Sequence, residues 1–378
     1  MPQAGGRESL MIETGVSYFS SRDLRHVRAD LEDMAAHGCS YVVHCFTETD
    51  LLYYRRSMAE VLAATRDAGL EAWMDPWGVT RIFSGETLSG FVSDHPEALQ
   101  LLSDGRRVPS ACPNHPETRR FLREWVAAAA EAGGQVAFWD EPHFYIPTKP
   151  RAVWQGVWGC RCDACQERFR DEARRALPQV IDDEVRAFRE RSLIGLLPEL
   201  SAEAKRLGMR NCLCLLPTDY GLIGMPELEE GLDALFRKRM EPGDGAPTDP
   251  EPWRSFGIHD WDAAAAIPDL DIFGCDPYWY FFGAGTQPEP FVRGFTRRTT
   301  ELARKYNRDV QIWVQAFSVP EGREDELSIG LRVAVEEGAT HVAAWSYRAT
   351  ESMSALRPAR PDYIWELLGR EFSALRNS

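Results

Sequence analysis

Short apolar segments recur along the chain, and each is followed by a stretch whose apolar residues repeat with the spacing of a helix. This alternation predicts parallel strands joined by crossover helices. Eight segments fit strands, at residues 15–19, 41–46, 71–77, 135–141, 211–216, 271–279, 310–317 and 341–347. Helices are predicted at residues 23–37, 57–68, 117–132, 183–207, 290–306, 324–337 and 362–375.

Eight strand–helix units favour a (β/α)8 TIM barrel, an α/β fold in which the strands close into a ring. A doubly wound open sheet is the alternative, but the segment after the first strand lacks the glycines of a phosphate-binding loop. Barrels run to about 250 residues, and to more than about 400 with insertions. We therefore expect one catalytic barrel domain over residues 1–378.

The extra length follows predicted strands three, four and five, at residues 78–116, 146–182 and 217–262. In a barrel, the connections after strands lie on the carboxyl-terminal face, where active sites are built. Residues 241–252 are dense in proline, glycine and acidic residues, which predicts a mobile loop or lid. The insertions thus predict an enlarged active-site face.

The charge balance narrows the choice of ligand. The chain has 58 Asp plus Glu against 43 Lys plus Arg, a formal net charge of -15. This excess disfavours nucleic acid and anionic membranes and favours neutral or cationic ligands. The sequence has no stretch typical of a signal peptide or membrane span, so a cytoplasmic protein is expected. A homo-oligomer is compatible with the sequence.

A cluster of cysteines predicts a metal site. Cys160, Cys162 and Cys165 have the spacing C-x-C-x-x-C. Zinc takes four tetrahedral ligands, so a fourth is needed, and Cys112 is the candidate, with His115 as the alternative. A closed four-thiolate site leaves no position for water, so the zinc would be structural. The competing interpretation is reduced thiols that pack as small apolar residues.

The other five cysteines fall on or beside predicted strands and are most simply core residues; they are Cys39, Cys45, Cys212, Cys214 and Cys275. Nine cysteines are too sparse for a disulfide scaffold, and their odd number fits a reducing compartment. We expect no organic cofactor.

The stretch "AFWDEPHFY" at residues 137–145 carries the strongest catalytic signal. Asp140 and Glu141 end an apolar run, where ionised carboxylates are costly unless they are solvated, paired or used. Side chains alternate along a strand, so only one of the two is expected to face the pocket. The competing interpretation is a carboxylate that pairs with an Arg or caps a turn.

Three features of the chain resemble the zinc-binding β-galactosidases of glycoside hydrolase family 42. They are a Glu that ends strand four, the C-x-C-x-x-C cluster and a lone Cys before the preceding helix. The resemblance covers roughly residues 105–170, and the barrel in outline. It implies a catalytic barrel with Glu141 as acid/base and Cys112, Cys160, Cys162 and Cys165 as ligands of a structural zinc.

This chain departs from that family at two positions. It has Asp140–Glu141 where the family has Asn–Glu, and Gln315 where the family has its nucleophile on strand seven. Glycoside hydrolysis normally uses two carboxyl groups. The second is expected to be Asp276, which follows the apolar run of strand six, or Asp140 itself.

Aromatic and polar residues at the strand ends are candidates for substrate binding. Flat rings suit the apolar faces of sugars, although many such rings fill barrel cores instead. The candidates are Trp77, Tyr145, Tyr278, Trp279, Trp313 and Trp345, with His44, His143, Gln315 and Arg348 as polar partners.

These features predict a glycoside hydrolase with a carbohydrate substrate. A non-catalytic carbohydrate-binding barrel, in which Gln315 records the loss of the nucleophile, is the main alternative. A metal-dependent hydrolase is a third hypothesis, and it would need a zinc ion with an open coordination position.

Overall fold

The computed structural model describes residues 11–146, 156–219, 257–281 and 287–377. Its strands are β1 Glu13–Tyr18, β2 Tyr41–Cys45, β3 Glu71–Asp75, β4 Leu99–Leu101, β5 Arg107–Ala111, β6 Val136–Asp140, β7 Arg210–Leu215, β8 Ile272–Cys275, β9 Asp309–Gln315 and β10 His341–Trp345. All but β4 and β5 pair in parallel and form a closed barrel, in which β10 pairs with β1. The predicted TIM barrel is confirmed, and the open sheet is excluded.

The helices that surround the barrel lie between the strands as predicted. They are α1 Leu24–Ala36, α2 Glu48–Tyr53, α3 Arg55–Asp67, α4 Phe91–Asp94, α5 Pro116–Glu131, α6 Asp163–Ala173, α7 Asp183–Ile194, α8 Leu197–Arg206, α9 Trp261–Ala265, α10 Pro288–Tyr306, α11 Glu326–Glu336 and α12 Pro361–Arg376. The single helix predicted at residues 183–207 is two helices, because Pro198 has no backbone N–H to continue α7. Over the described ranges, no helix is long and apolar enough to span a membrane.

Rings fill the amino-terminal part of the barrel. Tyr41 and Trp73 stack inside it with their ring centroids 4.4 Å apart. Gly15 on β1 has to lack a side chain, because a Cβ there would lie 2.5 Å from the Tyr41 ring. Every second residue of a strand faces the helices instead, as Val42 and Ala72 do. The filled interior leaves the carboxyl-terminal end of the barrel for a binding site.

The insertions lie after strands, as predicted. The first contains the antiparallel pair β4–β5, and Cys112 follows β5 directly. The second contributes the other three cysteines of the cluster and α6. The expected lid at residues 241–252 lies outside the described residues.

Three barrel strands end where a proline follows an acidic residue. Pro76, Pro142 and Pro277 stand after Asp75, Glu141 and Asp276, at the ends of β3, β6 and β8. Proline has no N–H to donate to the ladder, so strand pairing stops there. The strands are therefore shorter than predicted, and each releases a carboxyl group at the same end of the barrel.

Candidate active site

A cavity of about 440 Å³ opens at the carboxyl-terminal end of the barrel. Four carboxyl side chains line it, those of Glu86, Asp140, Glu141 and Asp276. Its apolar walls are mostly aromatic, with Trp77, Phe138, Tyr278, Phe281, Trp313, Phe317 and Trp345. This combination of flat rings and convergent polar groups is typical of a site for a small polar ligand.

Glu141 is held by backbone contacts on two sides. Its N–H donates to the carbonyl of Cys214 on β7 at 3.0 Å, and its own carbonyl lies 2.7 Å from Nδ1 of His143. Its φ angle is 40°, a left-handed value that is uncommon outside glycine. Such a conformation costs on the order of 1–3 kcal/mol and is found most often at functional sites.

The expectation that only one carboxyl of the pair faces the pocket is wrong, because Asp140 and Glu141 both line the cavity. Alternation holds only while the strand continues, and β6 ends at Asp140. The positive φ of Glu141 then turns its side chain to the same side as that of Asp140.

Asp276 is the most buried carboxyl of the cavity wall, with 2% of its surface exposed. Its side chain hydrogen-bonds to that of Glu141. Burial raises the pKa of Asp276 well above its ordinary value, and the charge of Glu141 raises it further.

Asp75 and Glu86 extend this acidic cluster. Asp75 is fully buried behind the cavity, and burial raises its pKa well above the ordinary value. Glu86 is solvent accessible at the cavity wall and accepts a hydrogen bond from the Trp77 side chain. The surrounding protein and the charge of Glu141 raise the pKa of Glu86. Burial and the charge of Asp75 raise the pKa of Asp140.

The loop after β3 closes over these acids and is tied to them. The Ser84 hydroxyl donates to the Glu141 carboxylate, and the Ser84 N–H donates to the Asp140 carbonyl at 3.1 Å. Arg81 donates to the carbonyls of Gly85 and Thr87, at 2.6 and 3.0 Å, and so ties the loop to itself.

Glu48 on α2 holds the same loop, which follows β3, through hydrogen bonds. This carboxylate is 3% exposed and accepts hydrogen bonds from the N–H groups of Thr80 and Phe91 and from the Ser89 hydroxyl, at 2.6 to 2.7 Å. Glu48 begins α2, so no strand-end pattern in the sequence indicated this role. It is a positioning residue, since the described contacts link it to the loop and not to the cavity.

Five of the ten residues predicted to bind substrate line the cavity, namely Trp77, His143, Tyr278, Trp313 and Trp345. Trp77 and Trp345 form one wall with Phe19, whose ring stacks on Trp77 with the centroids 5.0 Å apart. Burial lowers the pKa of His143, which keeps its imidazole neutral at physiological pH.

His44 and Trp279 face the helices rather than the cavity, which corrects their predicted role. His44 is buried with Nε2 2.9 Å from the Thr65 hydroxyl on α3, and burial lowers its pKa to about 3. The Trp279 indole donates to Glu326 on α11 at 2.9 Å. Both are structural residues of the layer between the barrel and the helices.

Gln315 does not reach the cavity either. Its side chain is fully buried; Oε1 accepts from the N–H groups of Tyr280 and Phe281, and Nε2 donates to the Phe317 carbonyl at 2.9 Å. All three partners are backbone groups of the cavity rim. Gln315 therefore holds the loops after β8 and β9 and does not line the cavity.

Tyr145 and Arg348 lie away from the cavity wall as well. The Tyr145 N–H donates to Gln100 at 3.1 Å, and its side chain is not among the lining groups. Arg348 forms ion pairs with Glu351 and Asp362 on the outer surface. A strand-end position in the sequence was therefore insufficient to define a pocket residue.

The four cysteines of the predicted metal site come together. Cys112, Cys160, Cys162 and Cys165 are buried, none forms a disulfide, and their sulfur atoms all lie within 4.8 Å of one another. A tetrahedral zinc with thiolate bonds of about 2.3 Å places its sulfurs roughly 3.8 Å apart, which fits this spacing. The Asn114 side chain donates to Cys165 at 3.2 Å, as expected for a thiolate acceptor.

His115 is not part of this cluster. Its Nδ1 accepts from the N–H of Glu117 and caps α5. Among the described residues, the cysteines are the only group of His, Cys, Asp and Glu compact enough to hold an ion. The four thiols leave no open coordination position, and the cavity carboxyls lack the compact geometry that a metal-dependent hydrolase requires.

The fold also occurs in known carbohydrate enzymes. The structure is similar to the catalytic domain of β-amylase from Paenibacillus polymyxa, with a TM-score of 0.63, 11% identity and coverage of 96% of this chain and 97% of that one. It is similar to the endo-1,4-β-mannanase of Rhizomucor miehei, with a TM-score of 0.61, 9% identity and coverage of 99% and 97%.

A β-galactosidase from Bacillus circulans sp. alkalophilus has a TM-score of 0.65 and 14% identity, and this chain, covered to 97%, spans 56% of its length. The shared feature is the barrel. Identities this low show the fold alone. The sequence matches no protein-family model and no curated protein.

Proposed function

We propose that this protein is a glycoside hydrolase in which Glu141 is the general acid. The observation that carries the proposal is the hydrogen-bonded pair of Glu141 and Asp276 in a cavity walled by aromatic rings. The structural neighbours, which are TIM-barrel glycoside hydrolases, support the same reaction class.

A general acid has to carry a proton when the substrate binds, and burial and like charge keep one of two adjacent carboxyls protonated. Glu141 gives its proton to the leaving oxygen, while Asp276 acts on the opposite face of the sugar. Asp140 is the alternative partner, and its charge raises the pKa of Asp276.

The second carboxyl sets the stereochemistry. A separation of about 5–5.5 Å allows direct attack on the sugar and retention, whereas about 6.5–9.5 Å leaves room for water and gives inversion. A direct hydrogen bond is shorter than both distances, so the substrate has to separate Glu141 from Asp276 when it enters. The aromatic walls supply binding energy for that step.

We also propose that the four cysteines hold a structural zinc. The zinc would join the loop after β5 to the start of α6. Its role would be to fix these two insertions beside the active-site face, and it would take no part in bond cleavage.

The test is hydrolysis of a broad panel of chromogenic α- and β-glycosides by the wild type, Glu141→Gln and Glu301→Gln. Glu301 is an exposed glutamate on α10 and is the matched control. Loss of an acid that protonates the leaving group lowers turnover by about 10²–10⁴-fold. Turnover that survives in Glu141→Gln would exclude Glu141 as the acid.

A carbohydrate-binding barrel is the second candidate function, and Gln315 is the observation that favours it. The end of the seventh barrel strand carries this buried amide in place of a carboxylate. A binding protein would retain affinity for a sugar in both the wild type and Glu141→Gln, with no turnover of any glycoside in the panel.

A further inference from the structure

The proposed glycosidase site has more carboxyl groups than glycoside hydrolysis uses. Two carboxyl groups perform that reaction. The cavity wall holds four, and Asp75 lies buried behind them. Glu86 and one of Asp140 and Asp276 are therefore surplus to the chemistry, although each has a cost in electrostatic repulsion.

The Lys and Arg residues that the structure describes do not balance the charge that these carboxyls carry when ionised. Arg81 is the one Lys or Arg among the described residues of the cavity wall, and its guanidinium is bound to two backbone carbonyls. The charge of Arg81 lowers the pKa of Glu86 by less than the surrounding protein raises it. None of the five acids forms an ion pair with a described Lys or Arg.

Two buried acids elsewhere in the same chain are paired. Asp50 forms an ion pair with Arg22 at 2.7 Å, and Glu324 does so with Arg360 at 2.7 Å, each acid being 5% exposed or less. A third buried acid, Glu48, is instead satisfied by three hydrogen-bond donors. No described Lys or Arg pairs with the cavity carboxyls as Arg22 and Arg360 pair with Asp50 and Glu324, which favours a counter-charge supplied by a ligand.

Two acceptors of the cluster also lack a donor. Oδ1 of Asp276, at the cavity wall, and Oδ1 of Asp75, behind it, are buried and have no hydrogen-bond partner among the described residues. A buried acceptor without a donor destabilises the empty site, so a ligand that donates to Oδ1 of Asp276 relieves this cost on binding. An ammonium group provides three donors and a positive charge at once.

We propose that the site is selective for a cationic amino sugar, a hexosamine glycoside whose amine is free and not acylated. This inference rests on the proposed function and names its substrate class. The ammonium group binds among Glu86, Asp140 and Asp276, while the sugar ring packs on Trp77 and Trp345. Tryptophan faces also attract cations, so the walls and the acids act in the same direction.

A neutral sugar is the competing substrate class, since hydroxyl groups also donate hydrogen bonds. Hydroxyls would satisfy Oδ1 of Asp276 but would leave the excess negative charge of the cavity unchanged. Net charge is therefore the property that separates the two classes. The experiment compares ligands that differ only at the amine.

The first measurement is binding by calorimetry to the Glu141→Gln variant, which prevents turnover. Glucosamine disaccharide and its fully N-acetylated counterpart are the matched ligands. We expect at least a 10-fold lower Kd for the free amine, and a Kd that rises steeply between low and high salt, because screening weakens the attraction. Equal affinity for the two ligands, or tighter binding of the acetylated one, would overturn the inference.

The second measurement is kcat/KM of the wild type on 4-nitrophenyl glucosaminide, N-acetylglucosaminide and glucoside, in both anomers. Glu86→Gln should lower the ratio of kcat/KM for the amine to that for the glucoside by about 10-fold, mainly through KM. Glu97→Gln, an exposed acid outside the cavity, is the control and should leave the ratio unchanged.

The outcomes separate this inference from the proposed function. Hydrolysis of the neutral glycosides without preference for the amine would overturn the inference and leave the glycosidase assignment intact. Binding of the amino sugar without any turnover would support the inference and overturn the assignment. Failure to bind or cleave any of these sugars would overturn both.

Discussion

Two clusters of like ionisable groups lie within this fold, and they differ in what surrounds them. The four thiols at Cys112, Cys160, Cys162 and Cys165 are buried, and their sulfur atoms all lie within 4.8 Å of one another. The carboxyls around Glu141 border a cavity of about 440 Å³. Both clusters are unfavourable as ionised groups without a partner.

The difference in enclosure separates a structural role from a chemical one. The thiol cluster offers four ligands and no access, so any ion held there serves the fold. The carboxyl cluster offers access and unsatisfied acceptors, so its partner enters and leaves. Sequence spacing alone identified the first cluster, whereas three different strands had to meet to form the second.

The largest expected effect comes from opening the thiol cluster. Cys165→Ser should remove the bound zinc and lower the free energy of unfolding by at least about 4 kcal/mol, because metal loss is among the most destabilising changes. Elemental analysis and urea unfolding measure the two quantities. Cys39→Ser, a buried thiol outside the cluster, is the control. Equal losses of stability in the two variants would contradict a metal site.

The next effect concerns the carboxyl cluster. Asp276→Asn should lower kcat by at least about 10²-fold, because the second carboxyl is lost. Zinc content should stay at the wild-type value. Steady-state kinetics on the best substrate of the panel gives the answer, and a loss below about 5-fold would transfer the role of second carboxyl to Asp140.

The same substitution should stabilise the fold above neutral pH. The pKa of Asp276 is raised in the folded state, so its contribution to stability is present below the ordinary carboxyl pKa and is lost as pH rises through the raised value. The Tm of the wild type should therefore fall more between pH 5 and about pH 8 than that of Asp276→Asn. If the Tm values of the wild type and Asp276→Asn change with pH in the same way, the ionised form of Asp276 does not destabilise the fold.

A smaller effect is expected from the anchor of the catalytic loop. Glu48→Gln leaves one acceptor oxygen for the two N–H groups of Thr80 and Phe91 and should lower kcat/KM about 10-fold, since Ser84 no longer holds Glu141 in place. Glu48→Asp should restore part of the activity. Activity equal to the wild type in Glu48→Gln would show that the loop is held without this carboxylate.

The smallest effect concerns Arg348, which was predicted to bind substrate but lies outside the cavity. Arg348→Ala should change kcat/KM by less than about 2-fold, because its guanidinium pairs with Glu351 and Asp362 outside the cavity. A large rise in KM would return this residue to the binding site.

Much of the site was predictable because barrel topology converts sequence position into location. Asp140, Glu141 and Asp276 were expected at the cavity from the ends of their apolar runs, and all three line it. Glu86 and Ser84 were missed because they lie in an insertion without periodicity. Three predicted strands contain an acidic residue followed by proline, and this signal could have added Asp75 to the candidate carboxyls.

The sequence by itself determined the barrel, the carboxyl-terminal insertions and three of the four clustered cysteines, with Cys112 or His115 as the fourth candidate. These follow from local rules, namely hydrophobic periodicity, connection length and ligand spacing. Only the tertiary structure decided which strand-end residues face the cavity, because that depends on where each strand stops and on the φ angle of the next residue. A single left-handed turn at Glu141 placed two adjacent carboxyls in one cavity, and no periodic pattern encodes such a turn.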